Sequence, residues 1–321
     1  MAHSPPGFSP VSPALYSMVQ QRKLLPYAFL APSMLAMIVL VFYPLVNGIL
    51  FSFTDANQYN VVKRIGANVV PASYSFIGLK NYIDLFNQTT GEFWRVLAQT
   101  VVWTVINVAL HVSIGLFLAI LLNRKIRGRT LYRVLLIVPW AVPTFVSAFA
   151  WRFIFNQDIG FVNLMLARIG IGPVPWFSTQ FLAMTVAIIA NTWLGIPFNM
   201  VSLLGGLQSI PADLYEAANV DGASWLQSFR YVTLPQLQPV LTTIILLGTI
   251  WTFNGFTIIF LITGGGPAEL TEILSTYAWR WGFQRWEFGI AAAYSVVILL
   301  ILLAFAAFYI RYLNRTQAGA L

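Results

Sequence analysis

Long apolar stretches separated by short polar segments set the pattern of this chain. Leu24 to Thr54 carries no charged residue, and neither does Val96 to Asn123 nor Val134 to Trp151. Further apolar cores run from about Phe181 to Gly205, from about Val240 to Ile262, and from Phe288 to Ile310. A helix needs about 20 apolar residues to cross the hydrocarbon of a bilayer. The pattern therefore predicts an all-α membrane protein with six transmembrane helices, at about residues 25–53, 95–123, 131–155, 181–205, 240–262 and 288–312. The third is the shortest, and extending it past Arg152 to Phe155 puts that arginine near an interface. Residues 1–20, rich in Pro and Ser, read as a disordered tail, and 21–321 as one transmembrane domain. The tail lacks a basic n-region and the first apolar run is too long for a cleaved leader, so the first helix is read as retained. In the first loop, about 55–93, FIGLKNYIDLF reads either as an amphipathic helix on the membrane face or as a loop helix that only packs.

Composition agrees with this class. Hydrophobic residues make up 58% of the 321 and charged residues 9%, against about 25% charged in soluble domains. Lipid must replace water over much of the surface. There is no cysteine, which excludes disulfides, thiolate metal sites and cysteine nucleophiles. Of the two histidines, His3 is in the tail and His111 lies inside an apolar run, where it reads as a packed or hydrogen-bonded residue. The net charge of +8 reports membrane orientation rather than nucleic acid, because the basic residues cluster beside spans. With the N-terminus inside, cytoplasmic segments hold ten Lys and Arg and outer segments seven, leaving Arg152 at the interface. The short loop NRKIRGRTLYR carries most of that bias, and six spans then place both termini in the cytoplasm.

The acidic residues narrow the function. None of the ten lies inside a long apolar stretch, so no carboxylate sits at bilayer depth to relay a proton or bind sodium, as ion-coupled carriers usually require. Three of them share one cytoplasmic loop, SIPADLYEAANVDGASWLQSFRYVTLP, residues 209–235. Ser209, Pro211 and Asp213 read as a helix start, and Tyr215, Ala217 and Ala218 lie on a short helix that Asp221-Gly222 breaks. A second short helix, about Ser224 to Tyr231, is expected to end at Leu234-Pro235. The alternative is a helix pair lying on headgroups.

Three spans carry breakers beside aromatic and polar residues: Pro139 to Thr144, Asn191 to Phe198, and Trp251 to Phe256 with Thr252, Asn254 and Gly255. Broken helices free backbone groups at mid-membrane and mark transporter sites. Amide and hydroxyl groups beside ring faces suit a sugar. Ordinary interhelical packing by small and polar residues is the competing reading.

The loop is similar to the "EAA" loop of importer permeases of the ATP-binding-cassette class, on Glu216, Ala217, Ala218, Asp221, Gly222, Ala223, Leu234 and Pro235. FIGLKNY, LYRVLLIVPWAVPTFVSAFAWRFIFNQDIGFVN, NTWLGIPFNM and FLITGGGPAELTEILSTYAWRWGF extend the resemblance over nearly the whole chain, towards the first permease of maltose/trehalose-type carbohydrate importers. The resemblance implies a type I importer permease fold. It implies that the loop enters a groove on an ATPase subunit, with Glu216 as polar contact, Gly222 as turn and the alanines as packing residues. It implies sugar contacts at Trp140, Thr144, Asn191, Leu194, Gly195, Phe198, Trp251, Thr252 and Gly255. The chain departs from the enteric maltose version in having six spans rather than eight and no large insert in its first outer loop. It also has Thr252 and Gly255 in place of asparagines, and Phe198 in place of tyrosine. Trehalose, maltose, a plant-derived oligosaccharide and an acidic glycan all stay open.

The expected partners are a second permease, two ATPase subunits, an extracytoplasmic sugar-binding protein and the lipid bilayer. The chain has no G-x-x-x-x-G-K-[ST] phosphate loop, so it is expected to bind no cofactor, with ATP and magnesium on the ATPase partners. The GGGPAE segment reads as a turn. The leading expectation is a permease subunit importing a di- or oligosaccharide by alternating access. The alternative is a stand-alone secondary transporter or channel for a small polar solute. An intramembrane enzyme lacks any constellation of His, Asp, Glu or Cys to do chemistry.

Overall fold

A computed structural model describes residues 29–66, 68–87, 92–124 and 126–318. The expected tail at 1–20, the start of the first span, and Arg22, Lys23 and Lys125 lie outside the described residues. The chain divides into two compact units at Phe51–Ser52. In the first, α1 (Phe29–Phe51) is apolar and long enough to span a bilayer and contains a π turn at Ile38–Phe42.

The second unit begins with a small antiparallel hairpin, β1 (Lys63–Ile65) and β2 (Asn68–Val70), an addition to the all-α expectation. Helix α2 (Lys80–Phe86) follows. It packs into the protein: Leu85 is buried, and Asn81 Nδ2 donates to the carbonyls of Ser52 and Thr54 at 2.9 and 2.8 Å. The helix is amphipathic: Asn81 and Leu85 pack inward, while Ile83 and Phe86 are exposed on its other face. Then come α3 (Phe93–Asn123), α4 (Arg129–Ala141), α5 (Thr144–Ile154), α6 (Phe161–Arg168) and α7 (Gln180–Gln208). They are followed by α8 (Ala212–Val220), α9 (Trp225–Phe253), α10 (Phe256–Ile262), α11 (Leu274–Phe283) and α12 (Phe288–Ala318). Among the described residues, five helices, α1, α3, α7, α9 and α12, are long and apolar enough to cross a membrane, and α4 with α5 makes a sixth span if that pair is counted as one. The third span is thus not a straight helix, because α4 and α5 meet at 95°.

The core is built on the α3–α7 pair, the most extensive helix contact among the described residues. Small residues let spanning helices approach closely without a hydrophobic drive between them. Here the seam pairs His111 with Gly195 and Gly115 with Asn199, and Ala119 and Leu203 continue it in the same buried cluster. A second cluster surrounds Trp103, Ala187, Ala190 and Ile259, and a third, at the other end, joins Phe93, Phe253, Tyr277 and Tyr294.

Three local expectations are corrected. Leu234-Pro235 does not end a helix: α9 runs on through a π turn at Phe229–Thr233. Proline lacks an N–H and its ring crowds the carbonyl four residues back, and the wider turn takes up that misfit. Ser209 does not cap α8, since its Oγ donates to the Gly206 carbonyl at 2.8 Å at the end of α7, and Pro211 stands at the cap position. Finally, α7 is continuous through Pro197, so the fourth span is not broken. The missing N–H there frees only one carbonyl, a loss membrane helices tolerate when neighbours satisfy it.

The GGGPAE segment is a turn, as expected, with Gly264 and Gly265 at φ of 63° and 82°. Arg280 pins it, donating through Nη2 to the Gly264 carbonyl at 3.1 Å and through Nε to Glu272 at 2.9 Å. Glu269 also accepts from Arg280 and Arg285. Burial raises the Glu272 carboxyl above its ordinary range, more than Arg280 lowers it.

Candidate functional site

The first break follows from a single proline. Pro143 disfavours helical backbone at the preceding residue, and Val142 is extended at φ −83°, ψ 129°. Helix α4 therefore stops at Ala141 and α5 restarts at Thr144 in a new direction, leaving Trp140 and Thr144 at the corner. The second break lies between α9 and α10, at Asn254-Gly255. It exposes the Thr252 carbonyl, which accepts from the Gly255 N–H at 3.0 Å and from the Trp103 indole at 2.9 Å. A fully buried tryptophan on α3 thus satisfies the backbone that the break sets free.

Between these breaks and α7 lies a cavity of about 260 Å³. It is lined by Trp140, Thr144, Asn191, Leu194, Gly195, Phe198, Trp251 and Thr252, eight of the ten residues expected there, together with His111, Asn199 and Gly248. Asn254 and Gly255 are not among them. The Asn254 amide turns back to the Ile250 carbonyl at 3.1 Å, and Gly255 serves the break itself. Phe198 packs between Trp140 and Trp251, with ring centroids 6.5 and 5.2 Å away. Both tryptophans remain more than half exposed, so they form the rim.

A polar ladder supports the floor. Asn107 donates to the Trp103 carbonyl at 2.8 Å, Asn191 Nδ2 donates to Asn107 Oδ1 at 2.9 Å, and His111 Nε2 meets the Asn191 carbonyl at 3.0 Å. Asn199 Nδ2 donates to the Gly195 carbonyl at 2.9 Å. A Cβ built on Gly195 would overlap the His111 imidazole, so this glycine is required by the close approach of the ring, whatever it contributes to a ligand. His111, Asn199 and Gly248 were not assigned to the site from sequence. One signal was present: Trp103, Asn107 and His111 recur every four residues, a polar-capable stripe on one face of an apolar helix.

The loop at 209–235 forms a second candidate site. Helix α8 ends in a Schellman motif: Ala223 N–H reaches the Ala218 carbonyl at 2.9 Å and Gly222 N–H the Asn219 carbonyl at 3.1 Å, with Gly222 at φ 76°. That left-handed backbone is what a glycine adopts without penalty. Ser224 and Gln227 then form a capping box that starts α9. Two contacts tie the elbow together: Trp225 stacks on Phe229 at 5.7 Å, and Tyr215 OH pairs with Thr233 Oγ1 at 3.0 Å. Glu216, Ala217, Asp221 and Gly222 are exposed and Ala218 and Ala223 half-buried, and Val220 stands 88% exposed at the tip. Leu234 and Pro235 lie within α9, set back from that tip.

Residues 111–316 match the family described as binding-protein-dependent transport system inner membrane component. The chain is 38% identical over 236 residues to the trehalose/maltose transport system permease protein MalF of Thermococcus litoralis, covering 74% of this chain and 79% of that one. It is 36% identical over 300 residues to the galactooligosaccharides transport system permease protein GanP of Bacillus subtilis, covering 89% and 69%. Among solved structures, a chain of a bacterial ABC transporter that imports the acidic polysaccharide alginate superposes with a TM-score of 0.79 at 23% identity, over 94% of this chain and 99% of that one. That likeness bears on the fold alone.

Proposed function

This chain belongs to the binding-protein-dependent transport system inner membrane component family, and on that premise we propose that it is the permease subunit of an ATP-driven importer of a di- or oligosaccharide. The observation that carries the sugar reading is the cavity, where residues from α3, α4, α5, α7 and α9 combine aromatic rings, amides and hydroxyls in one place. Ring faces cover the apolar C–H surface of a sugar, and amides and hydroxyls pair with its OH groups. Among the described residues no charged side chain lines the cavity, which favours a neutral sugar. The names of the two relatives, a trehalose/maltose and a galactooligosaccharides permease, point the same way.

The cavity is smaller than the ~300–1,000 Å³ of typical ligand sites, and two exposed tryptophans form its rim. It suits one sugar ring and asks for a second wall, which a second permease supplies. The exposed turn at Gly222, at the opposite end of α9 from the Asn254-Gly255 break, is the surface for an ATPase subunit. It lies in the cytoplasm, as do both termini. ATP and magnesium belong to that partner, and an extracytoplasmic binding protein delivers the sugar.

Transport then follows from one helix, α9, that runs from the Gly222 elbow to the cavity. Movement of α8 passes through the Gly222 elbow and the Tyr215–Thr233 contact into α9, whose far end carries Trp251 and Thr252. Closure of the ATPase pair therefore shifts the cavity wall and opens it outward, and hydrolysis resets it. The test is sugar uptake by vesicles holding the chain with its partners, against vesicles holding the chain alone. Uptake that requires ATP and the partners supports the proposal. Equal uptake by the chain alone makes it a stand-alone carrier.

A further inference from the structure

We propose that His111 determines which sugar hydroxyl is recognised in the cavity, with its Nδ1 accepting a hydrogen bond from that hydroxyl. The inference rests on the reading of the cavity as a sugar site. His111 is 6% exposed and lines the cavity from α3, which like α7 runs through it without a break. Its Nε2 lies 3.0 Å from the Asn191 carbonyl oxygen. A carbonyl only accepts, so Nε2 carries the proton and the tautomer is fixed. No carboxylate among the described residues lines the cavity, and a buried imidazolium without a counter-charge is costly. The ring is therefore neutral, and Nδ1 keeps its lone pair.

No second hydrogen bond to the ring is formed among the described residues. The imidazole cannot swing away, because it is wedged over the bare Cα of Gly195. Each amide nitrogen beside it spends one of its two N–H groups within the protein: Asn191 donates to Asn107, and Asn199 to the Gly195 carbonyl. The inference sets the remaining lone pair, on Nδ1 of this held ring, against a donor on the ligand. A site built to pair with one hydroxyl discriminates strongly against an analogue that lacks it, because the buried polar group is then left alone.

Two variants separate this role from a purely structural one. His111→Asn keeps an amide near the position of Nδ1 and gives up the tie to Asn191. His111→Gln keeps a donor for the Asn191 carbonyl and gives up the acceptor at Nδ1. The experiment uses the full complex in lipid and measures sugar-stimulated ATPase and uptake with maltose, trehalose and galactobiose, and with monodeoxy forms of whichever stimulates wild type. The inference expects His111→Gln to raise the half-saturating sugar concentration about tenfold, the scale of one lost hydrogen bond, while His111→Asn stays within about threefold. One monodeoxy sugar should lose affinity on wild type and lose little more on His111→Gln. The reverse ranking of the variants, or no monodeoxy sugar with that non-additive loss, overturns the inference and leaves His111 as an interhelical tether. A wild-type complex that none of these sugars stimulates sinks the sugar reading itself, and this inference with it.

Discussion

Gly195→Ala adds a single methyl group, and the seam between α3 and α7 fixes what that methyl meets. It would overlap the His111 imidazole, a ring held at Nε2 by the Asn191 carbonyl and 6% exposed. Forcing a methylene-sized group into packed surroundings costs about 1–3 kcal/mol. Replacing glycine by alanine inside a helix returns up to about 1 kcal/mol of propensity. The net effect on wild type is a loss of about 0–2 kcal/mol. On a His111→Ala background the ring is gone, the methyl enters the vacated space, and only the favourable helix term remains. The same substitution should then stabilise by up to about 1 kcal/mol. The coupling between the two positions is about 1–3 kcal/mol, large enough to read as a shift in melting temperature of the purified chain in lipid discs. If Gly195→Ala changes the melting temperature equally in both backgrounds, close packing against His111 is not why position 195 is glycine.

Gly222→Pro removes the N–H that reaches Asn219 and forces φ from 76° to near −65°; transport should be lost while the chain still inserts. Gly222→Ala has open space around it and pays only left-handed strain of about 1 kcal/mol, so uptake assays should rank it between wild type and the proline variant. Tyr215→Phe deletes the link to Thr233; the ATPase partner should still bind and hydrolyse ATP, with uptake per ATP reduced by about two- to tenfold, and unchanged stoichiometry would dismiss the elbow contact as a coupling element. At the GGGPAE turn, burial raises Glu272 above its ordinary value of 4.5. The fold then binds that proton more readily than the unfolded chain, and its stabilising contribution, full below 4.5, fades as pH rises through the folded pKa. Relative to Glu272→Gln, wild type should therefore lose melting temperature between acidic and neutral pH; a constant difference would contradict the burial argument.

Much of this arrangement could be read from residue order alone. Uninterrupted apolar runs locate α1, α3, α7 and α12 because the bilayer demands length and apolarity and little else. The Gly222 turn is local, set by one residue's freedom at positive φ, and it stands where the sequence places it. Prolines were harder. Pro143 breaks its span, Pro197 does not, and Pro235 is absorbed by a π turn. The three share the same lost N–H and ring clash, and neighbouring helices decide the outcome, which residue order does not show. The same limit applies to the cavity. Its rim residues carry recognisable chemistry near breakers, whereas Trp103, Asn107 and His111 act through partners on α7 and α9 that lie 80 or more residues away. Asn254 illustrates the opposite error, a polar residue at a break whose amide serves its own helix.

The central claim is that this chain couples sugar in the cavity to an ATPase at the Gly222 elbow. The most direct test is the ATPase rate of the complex co-purified on this chain and placed in lipid, with and without its binding protein and a panel of neutral disaccharides. The account predicts stimulation only when binding protein and one sugar are both present, with Trp251→Ala abolishing the sugar effect in the intact complex. An ATPase that no sugar stimulates in the presence of the binding protein, or the absence of any co-purifying ATPase, would contradict it.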